Sequence, residues 1–246
     1  MRLVSLIIIA GALLLSPAVA QEAPSFVEGL PDMGGSLRGD IIPLLLTVTV
    51  LSLAPGILMM ITCLPLMVIV FSFLRQALGI PQSPPSMMIM ALALFLTFFV
   101  MEPVFQQAWE AGIAPYQEGE IDEQTAFREA IAPFRVFMEA RVHDSTIAAL
   151  SESLPERWDE DVMETVPLSL LVPSFMLSEI KTAFQIGFAV FLPFLAIDLV
   201  TAAVLMAMGM MMVPPAVVSL PFKLAFFVMA DGWTKLSAAL LRGYAG

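Results

Sequence analysis

One cysteine and one histidine in 246 residues leave this chain short of the side chains from which metal centres and nucleophilic sites are most often built. Cys63 stands in an apolar run, has no second thiol to pair with, and reads as a small buried hydrophobe. His143 falls in an acidic segment, and the chain contains no HExxH, no G-x-S-x-G and no phosphate-binding G-x-x-x-x-G-K. No catalysis, cofactor or metal is expected. Charge is scarce as well: 13% of residues are Asp, Glu, Lys or Arg, and 11 basic residues stand against 22 acidic ones. With no basic patch to neutralise phosphates, nucleic acid is excluded as a partner.

What the chain has instead is hydrocarbon. Hydrophobic residues make up 59% of it, above the roughly half found in soluble domains. The start has the layout of a cleavable signal peptide: Arg2, an apolar run from Leu6 to Leu15, Pro17, then Ala18-Val19-Ala20, with cleavage expected between Ala20 and Gln21. Residues 21–40, with Pro24, Pro31, Gly29, Gly34 and Gly35, read as a flexible exported lead-in. From Ile41 to Leu74 there is no charge at all; as helix this is about 50 Å long, longer than a hydrocarbon core of about 30 Å. Pro43, Pro55 and Pro65 are the expected bending points.

Arg75 and Gly79 give the chemistry of a helix end, with Pro81 beyond, and Gln82-Ser83-Pro84-Pro85 connects to a second apolar segment, Ser86 to Met101. Residues 41–101 are thus expected to form a first helical hairpin whose turn, carrying only Arg75, faces the cytoplasm. Glu102 to Glu164 holds fifteen of the twenty-two acidic residues, so 102–165 is expected to be a small, partly helical periplasmic region. There Phe127, Ile131, Phe134 and Met138 mark an apolar helix face, with Asp122 and Glu123 at its N-terminal end. Between Thr182 and Phe222 the only charge is Asp198, flanked by Lys181 and Lys223. Pro193 and the Met208–Pro215 stretch are expected to divide this run, giving a second hairpin over 166–246. The fold class read from this pattern is all-α: an integral membrane protein of two kinked helical hairpins, about four hydrophobic segments, with a small helical extracytoplasmic region.

Charges within apolar segments cost a few kcal/mol unless partnered. Glu179 and Lys223 read either as an ion pair between neighbouring subunits or as interfacial side chains that snorkel. Asp198 reads as a hydrogen-bonding group to a neighbouring helix or as part of a proton relay. The Met208–Met212 cluster, at a break rich in Gly and Pro, reads as ordinary packing or as a compliant apolar constriction.

Several stretches carry a resemblance to one family. They are Leu51-Ser52-Leu53-Ala54-Pro55, Phe73 to Gly79, Pro84-Pro85 and Ala91 to Thr97, then Pro173-Ser174-Phe175, Ser178 to Phe188, Pro193-Phe194, Ile197-Asp198-Leu199, Met208 to Met212, Ser219 to Lys223 and Asp231-Gly232-Trp233. Over 41–103 and 166–246 the chain resembles the FliP/SctR family of type III secretion export-gate subunits, and the signal peptide favours its flagellar branch. The resemblance implies a homo-oligomer of about five copies in the bacterial inner membrane at the flagellar basal body. It implies assembly with FliQ-like and FliR-like subunits, alongside FlhB-like and FlhA-like components, to pass unfolded flagellar proteins. The family's methionine gasket maps onto Met210, Met211 and Met212, and its intersubunit ionic contact onto Glu179 and Lys223. Much of the apolar material in this family is held above the bilayer plane. The chain departs from the pattern at Cys63-Leu64-Pro65-Leu66, where a polar or basic stretch is usual, and at Ser86, which replaces an Asn. Two other classes compete: a secondary transporter of small solutes built on the broken helices and Asp198, and a membrane-embedded enzyme.

Overall fold

A computed structural model describes residues 45, 47–49, 52–53, 56–57, 59–80, 82–153, 166–210 and 212–244. The expected cleavage point at Ala20 and Gln21, the lead-in, and Met211 lie outside the described residues. The chain divides into two compact units, 1–52 and 53–246. In the first, the described residues are helical, and the Thr49 hydroxyl donates to the Leu45 carbonyl at 2.7 Å. The second unit holds every helix from Leu64 onward.

Helix α1 (Leu64–Ala77) begins after non-helical Ile61–Cys63 and has Pro65 in its first turn. Pro65 therefore opens a helix rather than bending one, because a missing N–H costs nothing where no intrahelical acceptor exists. Leu66, Met67, Val70, Phe71, Leu74 and Ala77 recur every three or four residues and are buried. They form one face, pressed on the long helix α6 (Leu168–Ala207). Each fully buried Leu, Met or Phe contributes about 1.5–3 kcal/mol, so this seam is the main source of stability. Gly187 on α6 lets Phe73 approach so closely that an added Cβ would lie 2.5 Å from the ring.

The turn after α1 contains Gly79 at φ 76° and a cis Ser83-Pro84 bond. Helix α2 (Ser86–Ala108) then runs past the expected boundary at 101, carrying Pro103 inside it. One π-helical turn (Trp109–Ile113) and α3 (Ala114–Gln117) extend it. The acidic region comprises α4 (Glu123–Glu139) and α5 (Asp144–Ser153). The buried face of α4 keeps Phe134 and Met138 of the expected stripe but not Phe127. Ala126, Phe134 and Met138 point inward while Phe127 is 67% exposed. The cause is steric: Gly112 lies so near Ala126 and Ala130 that a Cβ there would meet both within 2.7 Å, and only small residues on α4 fit that contact. Phe127, about 100° round the helix, is turned outward.

Helix α6 is continuous through Pro173 and Pro193. Pro193 does not divide it, contrary to expectation; the break comes at Met208–Pro214. Beyond it, α7 (Pro215–Met229) and α8 (Gly232–Arg242) meet at 58°, with Asp231 at the bend in the left-handed region, φ 50°. Phe227 and Trp233 pack edge to face across the bend, centroids 5.4 Å apart, and Trp233 reaches Phe71 of α1.

All described elements are helices. Two runs, Ser86–Gln117 and Leu168–Ala207, are long and apolar enough to cross a membrane, and α7 with α8 makes a third if the bent pair acts as one span.

Candidate functional site

Three features cluster along α6 and the turn that ends it. The first is the methionine turn. Helix α6 closes with Gly209 at φ 76°, a conformation that glycine adopts without a Cβ penalty. The Gly209 N–H donates to the Met206 carbonyl at 3.0 Å and the Met210 N–H to the Leu205 carbonyl at 2.9 Å, a pattern that satisfies the helix's last carbonyls. Pro215 in the first turn of α7 opens the next helix after the connection 208–214. The turn is therefore tight, and its side chains are pushed outward: Met208 and Met210 are exposed and Met212 is 97% exposed. Below it, an open apolar groove of about 640 Å³ lies between α6 and α7, lined by Val200, Val204, Leu205, Met208, Met210 and Phe222 among others.

The second feature is a charge cluster between α6, α7 and the end of α1. Lys223 Nζ lies 2.6 Å from Asp198 Oδ2 and donates to the Ala77 carbonyl at 3.1 Å. The Ser219 hydroxyl donates to Asp198 Oδ1 at 2.6 Å. The Lys223 side chain is 8% exposed and that of Asp198 32%. Placing the ammonium on the Ala77 carbonyl, the last of α1, also sets it at the negative end of that helix dipole. Asp198 thus makes a hydrogen bond and an ion pair to the neighbouring helix.

The third feature surrounds Glu179, which is 1% exposed. Arg141, in the turn between α4 and α5, donates from Nε to Glu179 Oε1 at 3.3 Å, and the Tyr244 hydroxyl donates to Oε2. Burial first, then the negative charge of Glu179, push the Tyr244 phenol above its ordinary value and keep it a proton donor. The Ser178 hydroxyl accepts from the His143 backbone N–H at 3.1 Å, fastening the same turn to α6.

Glu179 and Lys223 do not meet within the chain. Glu179 and Asp198, the residue that holds Lys223, stand nineteen positions apart on α6, or about 28 Å at 1.5 Å per residue. Arg141 and Tyr244 were not singled out by the sequence; separations of 38 and 65 residues from Glu179 lie beyond any helical periodicity. Lys181, Asp231 and Lys235 are exposed. Ser86, one of the two departures from the family pattern, accepts from Arg75 Nη1 at 3.1 Å across the turn, and Cys63, in the other, is fully buried. Among the described residues no group of His, Cys, Asp and Glu is placed to hold a metal.

Comparison with known proteins bears on the chain as a whole. A family model described as the FliP family matches residues 47–240. The flagellar biosynthetic protein FliP of Agrobacterium fabrum is 44% identical over 228 residues, covering 92% of this chain and 93% of the relative. That of Pectobacterium carotovorum is 43% identical over 235 residues, 95% and 90% of the two chains. That of Bacillus subtilis is 43% identical over 203 residues, 82% and 91%.

Proposed function

This chain belongs to the FliP family, and we propose that it is a pore-forming subunit of the flagellar type III protein export gate. In this reading, copies of the chain assemble in the bacterial inner membrane with FliQ-like and FliR-like subunits, next to FlhA-like and FlhB-like components. Unfolded flagellar proteins then pass through a channel sealed by Met210, Met211 and Met212. The relatives are flagellar biosynthetic proteins, and the chain carries at least two apolar helices of membrane-spanning length.

The observation that carries the finer reading is the methionine turn. A side chain 97% exposed on a tight, glycine-capped turn contributes nothing to the stability of its own chain, so its apolar surface is free for contacts outside it. Methionine is unbranched and polarizable, and a ring of such side chains from several copies would close on itself against water and yield to varied polypeptides. Helix length supports the assembly. Forty residues of α6 extend about 60 Å, twice a hydrocarbon core of about 30 Å. Fitting them into lipid alone demands a tilt of about 60°, beyond the 0–40° usual for membrane helices. Burial of part of α6 among other subunits above the bilayer removes that conflict. The pairing of Glu179 with Lys223 of a neighbouring copy remains part of the proposal, and it requires each to add to or exchange the partner it has in its own chain.

The test is ion leakage. Cells expressing Met210→Ala, Met211→Ala and Met212→Ala together are expected to lose membrane potential when the complex is overproduced, while the unsubstituted complex stays tight. A membrane potential equal to that of the unsubstituted strain, at equal complex levels, counts against a methionine seal.

A further inference from the structure

Residues 243–244 are tied to the acidic region through one guanidinium. Arg141 donates from Nη1 to the Gly243 carbonyl at 2.6 Å and from Nε to Glu179 at 3.3 Å. Its guanidinium carbon lies 4.0 Å from the centroid of the Tyr244 ring, within cation–π range. Phe137 of α4 stacks on the same ring, centroids 6.1 Å apart, and packs edge to face on Phe175 of α6 at 5.8 Å. Four pieces of the chain therefore converge: α4, the α4–α5 turn, α6 and the segment after α8.

The carboxylate at the centre sets the requirement. A buried charge left short of partners costs several kcal/mol, and Glu179 receives one side-chain donor on each oxygen, Arg141 on Oε1 and Tyr244 on Oε2. Neither donor alone serves both oxygens. Arg141 in turn depends on Tyr244 and Gly243 for the ring and the carbonyl that orient it.

We propose that Arg141, Glu179 and Tyr244 form a latch, in which seating of Tyr244 after α8 completes the donor shell of Glu179 and locks the α4–α5 turn onto α6. The acidic region then stays closed only in a chain that reaches Tyr244, whether or not that chain lines a pore. The latch gives residues at one end of the fold control over a segment a hundred positions earlier.

Limited trypsin digestion of the full chain in mild detergent tests this. Cleavage after Arg128, on the exposed side of α4, reads opening of the acidic region; cleavage after Lys223, which is buried, reads opening of the helical core. Tyr244→Phe, and separately a chain stopped after Arg242, should each raise the Arg128 rate about tenfold and leave the Lys223 rate unchanged. Arg141→Gln should do the same, and adding Tyr244→Phe to it should add little, since the groups act as one unit. Unchanged cleavage after Arg128 in both Tyr244 variants would overturn the latch. So would an equal rise at both sites, which means general unfolding, or full additivity of the two substitutions.

Discussion

Helix α6 carries two charged constellations that are closed in different ways. Around Glu179 the chain supplies every wall itself, with Arg141, Tyr244 and Phe137 enclosing a carboxylate that is 1% exposed. Around Asp198 one side stays open: its side chain is 32% exposed, and the apolar groove begins at its neighbours Ile197 and Val200. Burial along the helix follows the same division. Leu170, Leu171, Ser174, Phe175, Ser178, Glu179, Ala183 and Gly187 are buried before Pro193, but only Phe194 and Leu205 after it. One half of α6 is core of the folded chain, and the other half is largely exposed apolar surface. The exposed methionines stand at the far end of that exposed half.

Two substitutions press on this difference, and a third lies outside both clusters. Arg141→Ala removes a donor from an enclosed carboxylate and should cost about 3–5 kcal/mol, the usual result of breaking a buried pair from one side, taken from the local stability of the acidic region; amide hydrogen exchange of α4 and α5 in detergent measures it. Asp198→Asn should cost less, about 1–2 kcal/mol, because solvent already screens the open side and the amide still accepts from Ser219. If Asp198→Asn proved the costlier of the two in the isolated chain, the contrast between a closed and an open cluster would be lost. The smallest effect is expected at exposed Asp122, the N-cap position of α4. The Thr125 hydroxyl beside it, with the first N–H groups of the helix, holds its carboxyl below the usual range. A carboxyl with a depressed folded value contributes stability above its unfolded value and loses it as pH falls through the folded one. The difference between Asp122→Ala and the unsubstituted chain should therefore be present at neutral pH and vanish in the acid range below about pH 4, as thermal unfolding against pH would record.

Much of this was legible in the sequence because it rests on local chemistry. Gly79, with Pro81 beyond it, and the Met208–Pro215 stretch mark the helix ends at Ala77 and Ala207. Asp198 was legible as a charge that needs a partner on another helix. Other features depend on what packs against them. Pro193 looks like a break in the chain but is carried within α6, and Phe127 looks like core until Gly112 takes the space against Ala126 and Ala130. Arg141 and Tyr244 were invisible because the carboxylate that unites them lies 38 and 65 residues away, a distance that only the folded chain closes.

The central claim, that the chain is a subunit through which flagellar proteins are exported, is tested most directly by deleting its gene and measuring secreted flagellin. Loss of flagellin from the medium and of motility, with growth unchanged and both restored by the unsubstituted gene, is the predicted result. Normal flagellin secretion in the deletion strain would contradict it.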